Sequence, residues 1–172
     1  MSSGDRAVVD HYRELAAAAA GLLAGERDRI ANAANISALI YHGIAGVNWV
    51  GFYFFDGHEL VVGPFQGRPA CVRIGLDRGV CGAAARTRRT QRVADVHAVA
   101  DHIACDPVSR SELVVPLVRH DTLIGVLDLD SPILDRFGLD DQRGLEEIAG
   151  LYLDSLGPRA RPSGESTRTP DR

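Results

Sequence analysis

The chain carries three cysteines, Cys71, Cys81 and Cys105, spaced by ten and twenty-four residues. No two form a CxxC pair, and three thiols cannot build a four-cysteine zinc site. Cys105 stands in Asp101-His102-Ile103-Ala104-Cys105-Asp106, next to two acids and a histidine. Three readings stand for it. Free cysteines often serve as small buried hydrophobes. His97, His102 and Cys105 are ligand types that suit zinc, but their spacing matches no standard site, so no metal is expected. A thiol on a polar loop can also act as a redox nucleophile, because the thiolate is the reactive form. Cys81, in Gly79-Val80-Cys81-Gly82, opens a short helix, whose dipole is expected to lower its pKa. Cys71 is expected on a strand.

The carboxylates are the second set. Side chains of the strand Thr122 to Asp130 alternate faces at period two. Ile124, Val126, Asp128 and Asp130 are expected to point one way, and Leu123, Leu127 and Leu129 the other. Either the strand simply ends in solvent, or its two carboxylates floor a pocket and raise one pKa between them. In the second case one carboxyl stays protonated near neutral pH and can donate. Trp49 and Tyr53 share a strand face with Gly51 between them, which leaves a gap flanked by two rings. Core packing accounts for the pair by itself; the alternative is that the gap admits a small apolar or cationic group. Glu112, taken alone, reads as an exposed strand-end acid.

The elements that must hold these groups are legible in part. Asp5 to Ala24 is rich in Ala and Leu, lacks Pro, and reads as a helix. A second helix spans Glu26 to Ile44, with Ile30, Ala33, Ser37, Ile40 and Ile44 at helical spacing. Asn48 to Asp56 is an aromatic and branched strand, and Asp56-Gly57 turns it back into Glu59 to Gly63. Gly63 to Gly67 is expected as a loop and Ala70 to Ile74 as a strand. A helix at Gly79 to Arg88 and a strand at Gln91 to Ala94 precede a long irregular stretch, Asp95 to Arg110, of a length more often functional than decorative. Ser111 to Arg119 and Thr122 to Asp130 form a hairpin turning at His120-Asp121. A last helix runs about Leu139 to Leu156. Hairpins dominate, so the expected class is α+β: a mostly antiparallel central sheet with the N- and C-terminal helices packed on one face. The composition after Gly157 lacks large apolar residues, which marks residues 157–172 as a disordered tail.

Composition excludes several functions. All 19 basic residues are Arg, which removes Schiff-base lysine chemistry and a Walker-A loop. A net charge of −4 argues against a nucleic-acid surface. No apolar run reaches the roughly 20 residues of a membrane span. Met1 to Asp10 has no apolar core and so is no secretory signal. A soluble, cytoplasmic protein is expected, and an odd cysteine count there argues against a structural disulfide framework.

In order along the chain stand NWVGFYFF, GPFQGRPACVRI, RGVCGAAA, VADVHAVADHIACD, SELVVPLV and LIGVLDLDSP. This succession closely resembles the free methionine-R-sulfoxide reductase family, over about Val47 to Phe137. The resemblance implies a single GAF domain over residues 1–156 and reduction of free methionine (R)-sulfoxide without a cofactor. It implies Cys105 as nucleophile, Cys71 as its usual disulfide partner, and Cys81 as a secondary or recycling thiol. It also implies a pocket of Trp49, Tyr53, Glu112, Asp128 and Asp130, thioredoxin as reductant, and a homodimer.

Overall fold

A computed structural model gives the structure of the protein over residues 3–98 and 107–157. The elements run α1 (Ser3–Leu23), α2 (Arg29–Gly43), β1 (Trp49–Phe55), β2 (Glu59–Gly67), β3 (Arg73–Gly75), α3 (Gly79–Thr87), β4 (Gln91–Val93), β5 (Ser111–Arg119), β6 (Thr122–Ser131) and α4 (Leu139–Ser155). The strands form one antiparallel sheet in the order β3-β2-β1-β6-β5-β4. β1, β6 and β5 therefore occupy its centre.

Period-two alternation divides the core between the two faces of the sheet. Val50, Phe52 and Phe54 of β1, Leu113, Val115 and Leu117 of β5, and Leu127 and Leu129 of β6 meet α1, α2 and α4 in the larger cluster. Each such side chain fully buried contributes roughly 1.5–3 kcal/mol, so this face fixes the orientation of all three strands. The terminal helices pack against each other on that side, where the Tyr12 hydroxyl donates to Asp141 Oδ1 at 2.8 Å. α2 begins at its N-cap, Asp28, whose Oδ1 accepts from the N–H groups of Ile30 and Ala31. The opposite face carries α3 and a smaller cluster that includes Trp49, Tyr53, Cys81, Val114 and Val126.

Four local expectations are corrected. Gly63 to Gly67 is not a loop, because β2 continues through it to Gly67. Gly51 pairs with Phe65 and Tyr53 with Val62, so β2 carries one extra residue there. That bulge accommodates Pro64, which has no N–H to give a ladder. Cys71 lies not on a strand but in the irregular link before β3, which starts only at Arg73. Leu123 and Ile124 have exchanged faces: Ile124 packs toward the larger cluster and Leu123 toward the smaller. The register of β5 and β6 slips by one residue between Leu117 and Val118, and a one-residue slip inverts every side chain beyond it. At that slip a Cβ on Gly125 would lie 2.0 Å from the Tyr53 carbonyl oxygen, so only glycine lets β6 approach β1. The fourth correction concerns Glu112, which is 6% exposed and not a solvated strand end.

The hairpin expected at His120-Asp121 is present, with φ values of 47° and 58° that suit a tight two-residue turn. The expected residues 158–172 of the tail lie outside the described residues. No described helix is long and apolar enough to cross a membrane.

Candidate active site

Strand register assembles the site before any helix reaches it. Trp49 on β1 pairs with Asp130 on β6, which pairs with Glu112 on β5, which pairs with Val93 on β4. One row along, Gly51 pairs with Asp128 and Asp128 with Val114. All these side chains face away from the larger core. Three acids thus lie within two adjacent rows of one sheet face, within reach of their diagonal neighbours.

α3 closes over them. It brings Cys81, 4% exposed, onto the acids, and the thiol donates to Glu112 Oε1 across 3.9 Å. Cys81 Sγ and one oxygen each of Glu112 and Asp128 lie within 4.8 Å of one another. A partly open pocket lies above them. Trp49, Tyr53, Cys81, Glu112, Asp128 and Asp130 all line it.

Burial dominates the electrostatics. Glu112 is pushed well above the usual carboxyl range, first by desolvation and then by the charges of Asp128 and Asp130. Asp128 rises from an ordinary 3.8 to about 7, by desolvation, against hydrogen bonds from Cys81, Glu112 and the Leu129 N–H that favour its charged form. Its Oδ1 is buried with no hydrogen-bond partner among the described residues. Two carboxyls share a hydrogen bond only through a proton, and the directions put that proton on Glu112. The Cys81 thiol is likewise raised, by desolvation and by Asp128 and Glu112. That reverses the lowering expected from the α3 dipole: a helix end contributes up to about 2 kcal/mol, less than loss of solvent and two flanking acids impose.

The aromatic wall also differs from expectation. The Trp49 and Tyr53 rings stack at 5.7 Å, and Phe65 stacks on Trp49 from the other side at 5.3 Å. A Cβ on Gly51 would lie 2.5 Å from Trp49 Cη2 and 2.4 Å from Phe65 Cβ. The gap at Gly51 is therefore filled by the indole itself and admits no ligand. Its use is to let Trp49 lie flat along the strand, where its Nε1 donates to the Arg68 carbonyl at 3.1 Å. The Tyr53 hydroxyl donates to the Cys71 carbonyl at 3.1 Å, which ties the ring to the link carrying that cysteine.

A GAF domain family model matches residues 28–152. The free methionine-R-sulfoxide reductase of Escherichia coli (strain K12) is 50% identical over 127 residues, 74% of this chain and 77% of that protein. The chain belongs to the free methionine-R-sulfoxide reductase family. The Saccharomyces cerevisiae enzyme of the same name is 41% identical over 139 residues, 76% of this chain and 77% of its own length. The X-ray structure of free methionine-R-sulfoxide reductase from Neisseria meningitidis in complex with its substrate is 45% identical, with a TM-score of 0.81, and covers 84% of this chain and 87% of that one.

In this member of the reductase family, Cys71 is disulfide-bonded and Cys81 is a buried free thiol. Cys105 and His102 lie outside the described residues. Two pocket residues were not anticipated from the sequence. Ser109, 4% exposed, accepts a hydrogen bond from Asn48 Nδ2 at 3.1 Å and lines the pocket. Arg68, exposed at the rim, is the one cation among the described lining residues. Neither has a periodicity signal; Arg68 lies within GPFQGRPACVRI, and only the folding of that link toward Trp49 marks it.

Proposed function

We propose that the protein reduces free methionine (R)-sulfoxide to methionine at this pocket. The observation that carries the reading is Glu112: a buried carboxyl that keeps its proton, beside two further acids and under an aromatic wall. A sulfoxide oxygen needs a donor as it leaves, and a carboxyl held protonated near neutral pH supplies one. The Trp49 and Tyr53 rings suit the methyl group, and Asp130 at the half-buried rim suits the ammonium. A pocket that receives both ends of the amino acid leaves no exit for a flanking peptide chain, which selects the free substrate.

In this reading Cys105 thiolate attacks the sulfoxide sulfur while Glu112 protonates the oxygen. The S–O bond breaks as the oxygen passes to the Cys105 sulfur, the transient S–S bond to the substrate breaks with it, methionine leaves reduced, and Cys105 is oxidised to the sulfenic acid. The Cys71 thiol then attacks that sulfur, and water departs as the disulfide forms. Cys71 is bridged and Cys81 free, which supports Cys71 over Cys81 as the resolving thiol. An external dithiol of the thioredoxin type restores both thiols. Such recycling belongs to a reducing compartment, so the cytoplasm is the proposed location, and the family resemblance adds a homodimer, which sedimentation measures.

Reduced protein is to be mixed with the separated R and S sulfoxides of free methionine and with N-acetyl methionine sulfoxide. Turnover of the free R form alone is expected; turnover of the acetylated compound at a similar rate overturns the proposed selection. Cys105→Ser should abolish even a single turnover. Cys71→Ser should retain the first turnover and lose recycling.

A further inference from the structure

Cys81 and Asp128 take no step in the reduction proposed above, yet with Glu112 they form one buried cluster. A thiol and two carboxyls place their ligand atoms within 4.8 Å of one another, all buried. Each side chain comes from a different element, α3, β5 and β6. The second observation is Asp128 Oδ1. It sits on a side chain only 6% exposed, and no group among the described residues donates to it. An acceptor left so in the interior is costly, because it has given up water and gained no donor. Around it the pocket lining holds acids and a thiol, while Arg68 stays exposed at the rim. Among the described residues, the cluster therefore has no buried positive charge beside it.

We propose that Cys81, Glu112 and Asp128 bind a zinc-class divalent ion at the floor of the pocket. One sulfur and two carboxylate oxygens are the mixed set a borderline-soft ion takes, whereas calcium and magnesium prefer oxygen alone. Three protein ligands leave a fourth position open toward the pocket. As the metal–sulfur bond forms, the Cys81 proton leaves to solvent, and any carboxyl proton leaves with it. The ion occupies the place assigned above to the sulfoxide oxygen, so it blocks the substrate. This last consequence rests on the proposed function; the binding itself does not.

Cobalt(II) added to the oxidised protein tests the site. In that form Cys71 is disulfide-bonded and Cys81 is a free thiol, and a thiol titration after unfolding should count one. A near-ultraviolet thiolate-to-cobalt charge-transfer band is expected. It should disappear in Cys81→Ser, weaken in Asp128→Asn, and be displaced by zinc. No band, or a band that persists in Cys81→Ser, overturns the site. In metal-free reduced protein, zinc should inhibit in competition with the sulfoxide; inhibition independent of sulfoxide concentration overturns the overlap. If the metal-free protein turns over no sulfoxide and the cobalt band still appears, the metal site stands and the proposed function fails.

Discussion

The Cys81 thiol rests 3.9 Å from Glu112 Oε1, and both residues are buried. The contact joins a helix to a strand 31 residues later in the chain. Burial is what holds the proton on this acid, with the charges of Asp128 and Asp130 adding to it, while the hydrogen bond from Cys81 works the other way.

Glu112→Gln keeps the size and the ability to donate an N–H, but has no proton to transfer. Methionine formation in a single turnover should slow by about 10²- to 10⁴-fold, the range of a lost general acid. The substrate affinity should move far less. Rapid-quench measurement checks both, and an unchanged rate would remove Glu112 as the donor.

Stability should fall as pH rises from about 4 to about 7. Asp128 shifts from 3.8 to about 7 on folding, so across that window the folded state holds a proton that the unfolded chain has lost. Above the window the shift costs on the order of 4 kcal/mol, and the raised Glu112 acts in the same direction. Glu26 and Asp56, whose pKa values are lowered, oppose this, but both are exposed and their part is complete by about pH 6. Urea unfolding at pH 5 and pH 8 should show the loss, and Asp128→Asn should flatten it and be the more stable protein at pH 8. Equal slopes in both proteins would contradict the assignment.

Gly51→Ala should displace the indole. Its Cβ would fall 2.5 Å from Trp49 and 2.4 Å from Phe65. Overpacking of this kind costs about 1–3 kcal/mol. A lower unfolding midpoint and a raised KM are expected together, with tryptophan fluorescence reporting the moved ring. A variant with wild-type fluorescence and KM would show that the wall tolerates the methyl.

Tyr53→Phe keeps the ring and deletes the bond to the Cys71 carbonyl. That bond is worth about 0.5–1.5 kcal/mol, so disulfide formation should slow by roughly 2- to 10-fold. The first turnover should stay near wild type. Separate assays of methionine release and thiol loss distinguish the two steps, and equal slowing of both would place the hydroxyl at the substrate instead.

Much of the site was legible in the alternation of two strands. Asp128 and Asp130 share a face because strand side chains repeat every two residues, and Trp49 and Tyr53 do for the same reason. The same rule failed at Leu123 and Ile124, since a bulge depends on how a strand meets its partner. It failed also at Gly63 to Gly67, where Pro and Gly signal a loop locally but the sheet absorbs them in a bulge.

What the sequence determined by itself was the set of chemical groups, the class of fold and the face on which two acids stand. These follow from residue type and local periodicity. The tertiary structure alone decided that Glu112 stands opposite Asp130, that α3 lowers Cys81 onto both Glu112 and Asp128, and that the indole closes over Gly51. Those are contacts between segments distant in the chain, chosen by sheet register and core burial. The proton affinities depend on them, because an acid's pKa answers to the solvent and charges around it and not to its neighbours in sequence.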